Sequence, residues 1–268
     1  MPELPYFDLL FEGKRRGDPA AKVFEKHVHW GFWPSPLDAD GTPEDFARAM
    51  ARLDDEVIAG ARLGDGMTVA DVGCGFGGTL ARLSQRFPKS RLVGVNWDLR
   101  QLQAVQPSRA SFARGDACAL PLKADSFDAV LAVECIFHFP SRFGFLREAA
   151  RVLKKGGRLT LSDFVPASLG AQSGPLGRFV ERRIAAGYGG VSSGWPEGGY
   201  ADMARKAGLV VERDFDGTVH TLPTYPFLLK LINARGFGGP EKMLWPTRWL
   251  RLVSQLRAVK YRFLSFRK

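Results

Sequence analysis

The chain has 268 residues, 45% of them hydrophobic and 25% charged, with a net charge of +10. That length and composition suit one α/β domain with room for a cap, and exclude a disordered or fibrous chain. Residues 241–268 hold eight Lys/Arg against one Glu, so the rest carries only +3; a near-neutral body argues against a broad nucleic-acid-binding face.

The opening "MPELPYFDLL" has early acids and no basic start, which predicts no signal peptide. Residues 1–40 are aromatic-rich and irregular, with the cluster "HVHWGFWPSP". "GTPEDFARAMARLDDEVIAGARL" reads as a helix with Thr42 as N-cap and Pro43 at the first position. From Met67 short apolar runs alternate with helical segments. Strands are expected in "MTVADVG", "SRLVGVNW", "ASFARGDA", "FDAVLAVECIFHF" and "GGRLTLSDFV", with helices in "GGTLARLSQRF", "DLRQLQAVQ" and "SRFGFLREAARVL". Residues 166–199 read as a lid. "GGYADMARKAG" is a further helix, and "LVVERDF" and "GTVHTLP" are expected to pair as late strands. No run of about 18 apolar residues occurs, so no span is expected. The cysteines, Cys74, Cys118 and Cys135, form no CxxC pair, which favours a reducing, cytoplasmic setting.

This alternation predicts an α/β, Rossmann-like, doubly wound sheet, mostly parallel with a late antiparallel strand, plus a helical and aromatic cap. The expected divisions are 1–62 as N-terminal cap and flap, 63–240 as the main domain with its lid, and 241–268 as a basic amphipathic C-terminal helix. In that tail Trp249, Leu252, Val253, Leu256, Val259 and Phe263 fall at helical spacing.

"VADVGCGFGGTL" places a glycine turn between a strand and a helix. Gly73, Gly75 and Gly78 satisfy G-x-G-x-x-G, so a dinucleotide site has to be weighed. Asp71, two residues earlier, disfavours a pyrophosphate and suits a cationic ligand. S-adenosylmethionine carries an ammonium and a sulfonium, and Gly73, Gly75 and Gly77 with Cys74 would let the backbone approach its methionyl arm. Asn96 ends the second strand, where a polar residue can hold ribose hydroxyls, with Gln101 in the following helix. Trp97 can stack on adenine. Asp116, beside Ala117, can accept from the adenine amino group.

From about Val69 to Phe164 the chain resembles the class I S-adenosylmethionine-dependent methyltransferases, through "DVGCGFG", "GDACALPLKADSFDAVLAVE" and "REAARVLKKGGRLTLSDF" in that order. "HWGFW" resembles a segment of the small-molecule subgroup that includes sterol and tocopherol methyltransferases and rebeccamycin-type sugar O-methyltransferases. Asn96 departs from that pattern, in which most relatives carry an acid. The resemblance implies S-adenosylmethionine as cofactor, with Glu134 near its positive end and Trp33 in the flap. It also implies His138 and Asp163 as a base system at the acceptor, Asp163 orienting the imidazole.

"VECI" is unlike the motif of amino-group methyltransferases acting on adenine, so a base in nucleic acid is disfavoured as acceptor. Aromatic residues crowd the expected cap, among them Trp30, Phe137, Phe164, Phe179, Tyr188, Trp195 and Tyr225, which favours a small lipophilic natural-product or isoprenoid acceptor. O-methylation is the expectation. C-methylation of an alkene through a carbocation and a non-catalytic cofactor-binding role are the alternatives. His27 and His29 have no third ligand at suitable spacing, so no metal is expected. His220 reads as structural. Peripheral membrane contact through the tail is a further expectation, and monomer and homodimer are left open.

Overall fold

The computed structural model describes residues 4–105, 108–167, 175–190, 199–234 and 240–268. Two short helices, α1 (Pro5–Arg16) and α2 (Pro19–Val23), precede the long α3 (Pro43–Ala61). Thr42 caps α3 as expected, its hydroxyl accepting from the Asp45 N–H. Phe46, Ala49, Met50, Leu53 and Val57 recur at helical spacing and are all buried.

The sheet strands are β1 (Thr68–Val72), β2 (Arg91–Asn96), β3 (Ser111–Arg114), β4 (Phe127–Val133), β5 (Leu153–Pro166), β6 (Val210–Asp216) and β7 (Val259–Arg267). Their order is β3-β2-β1-β4-β5-β7-β6, and β7 runs antiparallel to both neighbours. Helices α4 (Gly78–Arg86), α5 (Leu99–Gln103), α6 (Arg142–Val152) and α8 (Gly199–Lys206) supply the crossovers. The chain turns from β1 to β2 on one side and places β4 on the other. This makes a switch point, and a crevice opens at the carboxyl ends of β1 and β4.

The C-terminal third departs from the sequence expectation. Helix α9 (Thr218–Thr221) replaces the expected strand, because Asp216 accepts from both the N–H and the hydroxyl of Thr218 and starts a helical turn. The partner of β6 is therefore β7. The tail is not helical to residue 268: after α10 (Thr224–Asn233), α11 (Pro240–Gln255) ends in a left-handed Arg257, φ 56°. Its C-terminal turn is closed by Ala258 N–H to Val253 O and Arg257 N–H to Ser254 O. Val259 and Phe263, which matched a helical period, also match the period of two in "YRFLSF"; burial on both faces of the sheet selects the strand. Pro246 lies inside α11, which starts at Pro240. The lid region contains α7 (Pro175–Tyr188), while its parts 168–174 and 191–198 lie outside the described residues, Trp195 with them; so does the side chain of Phe179.

Candidate active site

The crevice is a cavity of about 510 Å³ whose walls come from the glycine turn, the ends of β2 and β4, and the N-terminal segment. Gly73, Gly75 and Gly77 have φ of +80°, +53° and +79°, a region that side chains avoid. A Cβ on Gly73 would meet Cys135 Sγ at 2.6 Å, whereas one on Gly75 would project into open space. The turn is pinned by Gly73 N–H and Cys74 N–H, both donating to Val95 O.

Asp71 lines this cavity, is almost fully buried, and its Oδ2 has no hydrogen-bond partner. Burial, reinforced by the charge of Asp54, pushes its pKa up to about 8. An orphaned carboxylate oxygen beside an open glycine turn fits the ammonium of S-adenosylmethionine. Asn96 and Gln101 line the β2 side, joined by Asn96 Nδ2 to Gln101 Oε1 at 2.9 Å. The Asn96 Oδ1 accepts from the Asp98 N–H. Trp97 is 42% exposed with the Arg114 guanidinium over its ring, so one indole face is already covered. Gly115 and Ala117 line the cavity, while Asp116 between them uses Oδ1 to accept from the Cys118 N–H.

Trp33 does not reach the cavity. It is buried against Phe46 and donates from Nε1 to Asp45, so it is core beneath the flap. The flap residues that do line the cavity are Lys26, His27, Val28 and His29, with Tyr6 and Phe7 from α1. Sequence spacing gives no third partner for the two histidines, but α3 brings one. Asp54, fully buried, lies 3.2 Å from His27 Nδ1 and 3.2 Å from His29 Nε2, and accepts from Thr79. The Asp54 carboxylate is held below its usual range against the effect of burial by His27, His29 and Arg82. Burial opposes charge on His29, but Asp54 outweighs it and raises that pKa, whereas burial lowers His27 to about 4. His220 lies in α9 and its Nδ1 is 2.9 Å from Trp33 O, which ties the flap to the C-terminal half.

At the end of β4 Glu134 takes a left-handed conformation, φ 49°, outside the usual range for its type. Its buried carboxylate accepts from the Trp30 N–H at 3.1 and 3.0 Å and from the Tyr261 hydroxyl at 2.6 Å. Burial raises its pKa to about 7 against the opposing influence of His29, Tyr261 and Trp30. Trp30, Phe164, Tyr188, Tyr225 and Tyr261 surround it, with Trp30 5.3 to 5.9 Å from the rings of Phe164, Tyr188 and Tyr225.

His138 follows in a 3₁₀ turn, Ile136–His138, and lines the same cavity. Its Nδ1 is 3.1 Å from the Gly190 carbonyl and its Nε2 is 3.4 Å from the Tyr6 hydroxyl. A carbonyl only accepts, so Nδ1 carries the proton and Nε2 keeps its lone pair, which accepts from the Tyr6 hydroxyl. Burial depresses its pKa to about 4, which keeps the ring neutral near pH 7.

The expected pairing of His138 with Asp163 does not form. Asp163 is fully buried and its oxygens are taken by Arg142 Nε at 2.8 Å, the Tyr200 hydroxyl at 2.7 Å and the Phe164 N–H. The cause is strand alternation. Ser162 and Asp163 point to opposite faces of β5, and Ser162, beside Val133 in register, is the one that meets the Glu134 N–H. Asp163 faces α6 and α8 instead.

The methyltransferase-domain family model matches residues 70–161. The 27-O-demethylrifamycin SV methyltransferase of Amycolatopsis mediterranei is 30% identical over 214 residues, covering 76% of this chain and 74% of that one. The chain belongs to the methyltransferase family. The methyltransferase GfsG of Streptomyces halstedii is 35% identical over 151 residues, 53% of this chain, and the match spans about half of its length (52%). Among solved structures, the [4+2]-cyclase SpnF matches with a TM-score of 0.76 at 21% identity, covering 98% of this chain and 94% of that one. At that identity the likeness shows the fold alone, and a methyltransferase fold therefore also carries a protein titled as a cyclase. As a class I member the chain takes S-adenosylmethionine, and the orphaned Asp71 oxygen and open Gly75 fit it.

Proposed function

We propose that this methyltransferase methylates an oxygen of a small lipophilic acceptor, with His138 as the base. The observation that carries this reading is the tautomer of His138: Nδ1 is committed to the Gly190 carbonyl, which leaves the lone pair on Nε2, accepting from the Tyr6 hydroxyl in the lining of the cavity. When bound, S-adenosylmethionine supplies a methyl group already activated by its sulfonium. The residues then have two tasks, to align the acceptor and to take its hydroxyl proton on Nε2. Leu4, Phe7, Val133 and Phe139 give the cavity an apolar lining that suits a polyketide- or isoprenoid-like molecule, and the Trp30, Phe164, Tyr188 and Tyr225 rings pack together behind it. The Amycolatopsis mediterranei relative, by its name, acts on 27-O-demethylrifamycin SV. The free cysteines, Cys74 and Cys135 buried among them, support a reducing, cytoplasmic setting.

A second reading, C-methylation of an alkene, is favoured by one observation: Glu134 lines the cavity with Trp30 and Tyr261 bound to it, where a carboxylate backed by rings would stabilise and deprotonate a carbocation. Cell extract incubated with methyl-labelled cofactor and analysed by mass spectrometry separates the two. Label on oxygen, lost in His138→Ala, is expected. Label on carbon with His138→Ala fully active would overturn the base assignment, and no labelled small molecule would leave a cofactor-binding protein.

A further inference from the structure

Helix α11 is apolar on two sides, with Met243 buried and Leu250 packed on the core beneath it. Its inward side carries hydroxyls: Thr247, fully buried, meets Met243 O and the Tyr188 hydroxyl at 2.7 Å, and Ser254 meets the Tyr225 hydroxyl at 2.8 Å. Its outward side carries Trp245, Trp249, Leu252 and Leu256, spaced i, i+4, i+7 and i+11 along one stripe. Trp245, Leu252 and Leu256 are 36%, 44% and 69% exposed, and the Trp245 and Trp249 rings stack in parallel, 5.8 Å apart. Exposed arginines flank the stripe: Arg248 lies between the tryptophans, and the Arg183 guanidinium sits 5.8 Å over the Trp245 ring. No described helix is long and apolar enough to cross a membrane.

We infer that this face of α11 rests on an anionic lipid bilayer. Paired tryptophans and leucines bordered by arginines match the headgroup boundary, where indole rings settle and guanidinium groups meet lipid phosphates. The charge decides for a bilayer over a second copy of the chain. Arg257, Lys260, Arg262, Arg267 and Lys268 are paired to acids in and beside the sheet, whereas Arg248 and Arg251 on α11 and Arg183 over Trp245 border the stripe itself, and two copies of that cationic face would repel each other.

The position of the helix gives the contact a use, and that use rests on the lipophilic acceptor proposed above. Tyr188 and Tyr225, held by Thr247 and Ser254, have their rings 5.9 Å from Trp30, whose N–H binds Glu134. The docked helix therefore backs onto the aromatic cluster that packs behind the cavity-lining Glu134. A bilayer at that helix would place a dissolved acceptor one packed layer of side chains from the cavity.

The test is co-sedimentation of the full chain with phosphatidylcholine vesicles, with and without phosphatidylglycerol, followed by tryptophan fluorescence. Binding to the anionic vesicles with a blue shift is expected, weakened at least about tenfold by Leu252→Glu with Leu256→Glu and by added salt. Cofactor calorimetry on the same proteins checks folding, and Arg248→Glu with Arg251→Glu provides an independent pair if the leucine variants fail it. The inference is overturned if the full chain stays in the supernatant with anionic vesicles at low salt. It is equally overturned if both variant pairs sediment like wild type, or if ultracentrifugation shows that the leucine changes dissociate a dimer. Vesicle binding by a protein that transfers no methyl group would sink the proposed reaction and leave the bilayer contact standing.

Discussion

The Nδ1 of His138 lies 3.1 Å from the carbonyl oxygen of Gly190, 52 residues further along the chain. That contact fixes the tautomer, and its carbonyl partner comes from the segment just beyond α7. The lone-pair nitrogen, the one proposed above as the base, is thus set by backbone rather than by an acid.

His138→Ala is expected to lower turnover by about 10²-fold or more while leaving cofactor affinity within about twofold. Single-turnover assays and calorimetry measure the two separately. With the ring pKa near 4, the acid limb of kcat/KM lies below the ordinary histidine range. In the unfolded chain the ring takes up its proton near 6.5, so between there and about 4 the unfolded state binds more protons. The contribution to stability is thus present above pH 6.5 and lost as pH falls toward 4. An acid limb at pH 6.5 that His138→Ala does not remove would tell against this assignment.

Asp71 has the opposite sign. Its pKa rises from 3.8 to about 8 on folding, so across that window the folded state holds the extra proton. Its contribution is full below pH 3.8 and is lost as pH rises toward 8. A bound ammonium favours the carboxylate, so cofactor binding near pH 7 should release a proton. Calorimetry in two buffers of different ionisation enthalpy reads that release directly. Equal heats in both buffers, or unchanged buffer dependence in Asp71→Asn, would count against the pairing.

Much of this site is legible in the sequence because it is local. The glycine turn, Asp71, Asn96 with Gln101 and the strand-end position of Glu134 all follow from spacing between one strand and the next helix. Partners that arrive from afar are not. Asp54 reaches His27 and His29 from α3, and Tyr261 reaches Glu134 across 127 residues. Tyr261 is hidden for a further reason: its apolar neighbours fit a helical and an alternating period equally well, and only pairing with β5 and β6 decides between them. The exchange of Asp163 for Ser162 beside Glu134 is a one-residue matter of strand face, which a motif position does not resolve.

Glu134→Gln removes the charge and keeps an oxygen for the Trp30 N–H. Cofactor affinity is expected to fall about tenfold, roughly 1.4 kcal/mol, with the fold retained. The wild-type carboxylate, raised from 4.5 to about 7, loses its stability contribution as pH rises through that window. The variant should therefore show a flatter stability-pH curve there. Thermal melts from pH 4 to 8 test the slope; parallel curves for the two proteins would exclude a buried titrating Glu134.

Asp163 decides between a catalytic dyad and a structural ion pair. Its oxygens are bound to Arg142, Tyr200 and the Phe164 N–H, all away from His138. Asp163→Asn leaves the Arg142 guanidinium, itself buried, without its counter-charge. Breaking one half of such a pair costs on the order of 3–5 kcal/mol, because the remaining charge has lost its compensation. The variant should melt at a much lower temperature, yet its folded fraction should turn over with the pH profile of wild type. An orienting partner of His138 would behave in the opposite way, with stability nearly kept, turnover lost and the acid limb displaced. Denaturant titration alongside pH-rate profiles distinguishes the two outcomes. A near-native melt with a displaced profile would restore Asp163 to the base system and require β5 to present its other face.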